Sequence, residues 1–95
     1  MNDEAALPLA WRILLAIHDE QNARGERAQQ GIPLTRLSKR LDASVSVLMR
    51  EITMLTDAML GAQRGPGLLR MWQDDGRWLV VLTPEGIDLL AAQDD

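Results

Sequence analysis

The 95 residues carry 14 acidic and 10 basic side chains, a formal net charge of −4, with 46% hydrophobic residues, three tryptophans and no phenylalanine, tyrosine or cysteine. That length fits one domain, 1–95 with 1–6 and 93–95 as fraying termini, whose core must come from Leu, Ile, Val, Met and Ala. The missing cysteines exclude a disulfide framework, a thiolate metal site and a cysteine nucleophile. The acidic start Met1-Asn2-Asp3-Glu4 argues against a secretory leader, and no run reaches the roughly 20 apolar residues of a membrane span, so a cytoplasmic protein that meets no membrane is expected.

From Pro8 to about Ala23, Leu9, Ile13, Leu14 and Ile17 recur at helical spacing, with Pro8 suited to the first turn. Gly25 to Gly31 is polar and bounded by glycines, which predicts a loop. Ile32-Pro33-Leu34 is long enough only for an edge strand or lead-in. Leu34, Leu37 and Leu41 then mark one face of a helix of about two turns. After Asp42-Ala43 the pattern restarts, with Ser44 or Ser46 as N-cap and Leu48, Ile52, Leu55 and Met59 on one face of a longer helix.

The glycines and proline of Gly61–Gly67 predict another loop. Leu68–Gln73 and Arg77–Leu82 are strand-length runs around Asp74-Asp75-Gly76, a hairpin signal, with Trp78, Val80 and Leu82 sharing a face. Thr83-Pro84-Glu85-Gly86 supplies a hydroxyl cap and a first-turn proline for a closing helix that contains Ile87, Leu89 and Leu90 and frays at Gln93-Asp94-Asp95. The fold class is therefore mainly α with a small antiparallel β-ribbon (α+β), in the order α-(β)-α-α-β-β-α.

That order over Ile32–Leu90, with Leu34 to Leu41, Ser44 to Leu60, the ribbon and the phrase Leu82-Thr83-Pro84-Glu85-Gly86, resembles winged helix-turn-helix transcriptional regulators of the MarR-like kind. The resemblance implies double-stranded DNA as partner, with the second helix of the pair in the major groove and the ribbon reaching the adjacent backbone or minor groove. The face turned to DNA would hold Val45, Ser46, Met49, Arg50 and Thr53. Arg50 would read bases, since an arginine can donate two hydrogen bonds to guanine. Ser44, Ser46 and Thr53 could reach phosphates or base edges, while Arg36, Lys39, Arg40, Arg64, Arg70 and Arg77 would position the backbone. The acidic tip Asp74-Asp75 departs from this pattern, because phosphate would repel it.

Charge by segment favours the helix pair: residues 32–70 hold six basic and three acidic side chains, and the excess acid lies in 1–31 and 71–95. Trp11 lies off the Leu9/Ile13/Ile17 face with Leu7, Leu14 and His18 as neighbours, a second stripe that suggests a homodimer contact. Nothing supplies a nucleophile, an oriented base or a metal ligand set, so an enzyme is not expected, nor any cofactor. His18 stands alone, Gly61–Gly67 lacks the Lys-Ser/Thr of a phosphate loop, and Asp19-Glu20, Asp74-Asp75 and Asp94-Asp95 are expected to be solvated charge. The acidic tip and the apolar Val45 and Met49 leave an alternative, a winged-helix protein-interaction module that does not bind DNA.

Overall fold

In the computed structural model, which describes residues 7–93, helix α1 (Leu9–Arg24) runs through the middle of the fold. It touches the 3-10 helix Gly25–Gln30, the short strand β1 (Ile32–Pro33), helices α2 (Leu34–Leu41) and α3 (Val45–Leu55), the strand β5 (Arg77–Leu82) and the closing helix α4 (Pro84–Ala92). Being packed on several sides explains why Ile13, Leu14, Ala16 and Ile17 are all buried instead of one narrow stripe. Pro8 stands at the N-cap, one position before the expected first turn, and its carbonyl accepts from Arg12.

The architecture is α+β. The main sheet has the antiparallel order β1-β5-β4, with β4 spanning Leu69–Asp74. Its register pairs Leu69 with Leu82, Met71 with Val80 and Asp74 with Arg77, so Asp75-Gly76 forms a two-residue turn one residue tighter than expected. Asp75 and Gly76 have φ of 53° and 79°, the conformation that lets a hairpin follow the strand twist. Ile32, Val80, Leu69 and Leu82 face the helices and join one core with Leu34, Leu37, Leu48, Ile52 and Leu90. Trp78 packs at the margin of this face, as its alternation with Val80 and Leu82 predicts.

The other sheet face is also covered. Leu79 and Val81 are buried, and Trp72 lies so close to Gly31 that a Cβ there would come within 2.8 Å of the indole. The segment expected to be a loop, Gly25–Gly31, is therefore mostly a 3-10 turn that brings Gly31 onto the back of the sheet. Beyond the short β1, the Leu82 amide has no strand partner on that side and donates to Gln21 Oε1 at 2.8 Å.

Helix α3 stops at Leu55, before Met59. The Thr56 hydroxyl donates to Thr53 O and accepts from Ala58 N, and the chain turns into a second antiparallel pair, β2 (Met59–Leu60) with β3 (Gln63–Arg64). Gly65 crosses so near the helix end that a Cβ would sit 2.0 Å from Thr56 O. The expected Gly61–Gly67 loop is thus a small hairpin, extended by Gly65 N to Ala58 O and tied back to the end of α3 by Gly67 N to Thr56 O and Leu68 N to Leu55 O. Met59 is 56% exposed on this hairpin and belongs to no helix face.

At the other end of the main sheet Thr83 caps α4, accepting from Gly86 N at 3.1 Å and donating to Gly67 O at 2.6 Å. Gly86 meets the Leu68 carbonyl, 2.2 Å from where its Cβ would be. The Leu-Thr-x-x-Gly phrase therefore docks a helix onto a backbone, and any side chain at its last position would obstruct it. Gln93 is the C-cap of α4; the expected fraying at 1–6 and at Asp94-Asp95 lies outside the described residues. Among the described residues no helix is long and apolar enough to cross a membrane.

Candidate nucleic-acid interface

Three residues, Asp42-Ala43-Ser44, join α2 to α3. Asp42 adopts the left-handed conformation with φ 53°, which ends α2 abruptly at a position more often occupied by glycine or asparagine. Ser38 secures the corner: its hydroxyl donates to Ala43 O at 2.6 Å and its carbonyl accepts from Ala43 N. Ser44 then caps α3, its hydroxyl accepting from Val47 N at 3.2 Å. The serine proposed to contact DNA is thus occupied in starting the helix that would enter the groove.

On α3, Leu48 and Ile52 are buried and the outer face presents Ser46, Val47, Arg50 and Met54. Val45 and Met49, expected to point outward, pack against the core margin instead. At about 100° per residue they flank the Leu48–Ile52 stripe, whereas Val47 and Met54 fall across the helix from it. The helical spacing alone would have found both. Thr53 is half-buried and its hydroxyl donates to Met49 O at 2.7 Å, so Ser46 and Arg50 are the polar groups most open to a ligand.

The expected backbone-positioning cations fare differently from one another. Arg36 Nε donates to Glu20 Oε1, Arg40 Nη1 to Glu20 Oε2 at 3.0 Å, and Arg40 Nη2 to Asp19 Oδ2 at 2.8 Å. Arg24 adds a looser pair with Glu20 at 4.0 Å. Of the two acids expected to be solvated, Asp19 is exposed but Glu20 is only 7% exposed, and with Asp19 it anchors α2 to α1. Burial by itself pushes the Glu20 carboxyl up, but the hydrogen bonds and charges of Arg36 and Arg40 outweigh that and hold it below the usual glutamate value.

Arg64 and Arg70 line a depression of about 350 Å³ beside the β2–β3 hairpin, together with Asp57 and Glu85, so charge is balanced there. Arg70 also lies over the Trp72 ring, 4.8 Å from its centroid. Arg77 is exposed at the tip of the main hairpin, directly across from Asp74. Lys39 and Arg50 are exposed and, among the described residues, free of ion pairs.

Of the four residues expected to join two copies, Leu14 is in the core at 2% exposure and out of reach of a partner. Leu7 is exposed, and Trp11 and His18 are half-buried, Trp11 against the core margin. Among the described residues no group of three or more His, Asp or Glu side chains is arranged to hold a metal.

No family model, curated protein or solved structure matches the chain. Any functional reading therefore stands on the residues themselves.

Proposed function

We propose that the protein is a winged helix-turn-helix that binds double-stranded DNA, with α3 as the groove-entering helix and the β4–β5 hairpin as the wing, and that it acts as a MarR-like transcriptional regulator. The observation that carries this reading is the α2–α3 corner. A tight turn made of Ser38, Asp42 and Ser44 holds an exposed helix face with Ser46 and Arg50 at its centre. A helix so presented has the shape to enter a major groove, and Arg50 has the chemistry to read guanine. Lys39 is the neighbouring cation most open to phosphate, while Arg36 and Arg40 would have to share themselves with Glu20 and Asp19.

Fluorescence anisotropy with a randomised duplex at low salt, followed by selection of the best-bound sequences, tests the proposal. Binding should appear at low salt and weaken as salt rises, and Arg50→Ala should lose roughly 1–3 kcal/mol of discrimination at the selected site. An Arg50→Ala protein that binds its best site as tightly as the parent would remove α3 from the interface. The two-copy arrangement now rests on Leu7, Trp11 and His18. Sedimentation equilibrium decides it, and a species that stays monomeric at tens of micromolar would remove the expectation of a palindromic site.

A second reading is a winged-helix module that binds protein, favoured by the apolar groups left open along α3 and the hairpin after it: Val47, Met54, Met59 and Leu60. Absence of duplex binding at low salt would favour this reading.

A further inference from the structure

A second group of cations lies away from α3. Two adjoining depressions at the junction of α1, the 3-10 helix and α2 are lined by Arg24, Arg27, Arg36 and Lys39, with Glu20 the one acid among the described lining residues. The Glu20 oxygens are already engaged by Arg36 and Arg40. Among the described residues the Arg27 and Lys39 side chains make no ion pair, and the Arg24 side chain makes only its 4.0 Å approach to Glu20. Arg24, Arg27 and Lys39 around the Arg36–Glu20 pair, in a chain whose net charge is −4, form a concentrated positive field. Such a field attracts a multiply charged oxyanion.

The geometry points to a phosphate-binding site formed by Arg24, Arg27, Arg36 and Lys39, to which neither Arg24 nor Arg27 had been assigned from the sequence. Guanidinium groups suit this ligand because their paired N–H donors match phosphate oxygens two at a time, and Lys39 adds a mobile point charge. Glu20 takes part indirectly: by holding the Nε edge of Arg36 it fixes that guanidinium in the depression. The phosphate could belong to a nucleic-acid backbone or to a free phosphate compound. The site rests on the DNA reading only for which of these it is, and under that reading it extends the protein's footprint from α3 to the α1–α2 junction.

The test pairs Arg24→Gln/Arg27→Gln with two probes, a randomised duplex over a range of salt and pyrophosphate titrated into ¹⁵N-labelled protein. Glutamine keeps part of each aliphatic stem, and a thermal melt checks the fold. If the double variant melts lower, Arg27→Gln alone replaces it, since Arg27 is exposed and has no partner. The expected result is duplex affinity about tenfold weaker at low salt, with a log–log salt slope shallower by about 2, since each lost phosphate contact removes about 0.9. If the parent ignores duplex but pyrophosphate shifts amides of residues 24–40 in the parent and not in the variant, the site stands with a free phosphate ligand and the DNA reading falls. If duplex binding responds to Arg50→Ala while the double variant matches the parent in affinity, slope and pyrophosphate response, the site is overturned and the DNA reading stands. If neither probe binds the parent, both fall.

Discussion

At Glu20 two opposing effects set the titration of one carboxyl: burial raises its pKa, while Arg36 and Arg40 lower it further. With the net effect downward, the folded protein releases this proton at lower pH than the unfolded chain, whose glutamate has the ordinary value of 4.5. The stabilisation is therefore fully present above 4.5 and is lost as pH falls through the folded-state value. Glu20→Gln should destabilise the protein by about 1–2 kcal/mol near neutral pH, at the modest end for a charged network because Arg36 and Arg40 remain partly hydrated. In urea melts the gap between parent and variant should narrow as pH drops below 4.5; a gap independent of pH would mean that the carboxylate's charge contributes nothing.

At the scale of elements, the joint between the β2–β3 hairpin, the sheet and α4 concentrates several dependencies. Thr83→Ala removes both the cap of α4 and the hydrogen bond to Gly67, and should cost about 1–2 kcal/mol; Thr83→Ser keeps an oxygen at the same place and should recover most of it. Gly86→Ala forces a methyl group against the Leu68 carbonyl and should cost about 1–3 kcal/mol, unless α4 lifts away. Thermal melts of the three variants check the ordering.

These local devices are the part of the fold most legible in the sequence. Ser44, Thr83-Pro84 and Asp75-Gly76 act on backbone groups within a few residues, so the adjacent chain discloses them. What the sequence hid depends on distant groups. Met59 continues the spacing of Leu48, Ile52 and Leu55, yet α3 ends first, because the Thr56 hydroxyl and the crossing of Gly65 offer the chain a second set of hydrogen bonds. The candidate interface was legible to the same degree. Arg50 could be placed outward from helical spacing, but the partner of Arg36 lies 16 residues away on α1, and no local pattern announces it.

At the scale of the whole molecule, net charge is a weaker guide than its arrangement. The six cations of 32–70 lose two to Asp19 and Glu20 and share the surroundings of two more with Asp57 and Glu85. Under the DNA reading, that leaves few side chains to displace counterions, so the salt slope of duplex binding should be no steeper than about −5. A slope near −8 or beyond would mean that two copies bind together or that Arg40 leaves Glu20 and Asp19 for phosphate.

The position of Trp72 also makes the protein its own optical instrument. The indole lies under the Arg70 guanidinium and close to Gly31, so a ligand that draws Arg70 away changes the environment of one ring out of three. Trp11 and Trp78 sit on the other side of the sheet, against the core margin. With both replaced by Leu, Trp72 emission would report engagement of the hairpin in real time, without a label on protein or ligand.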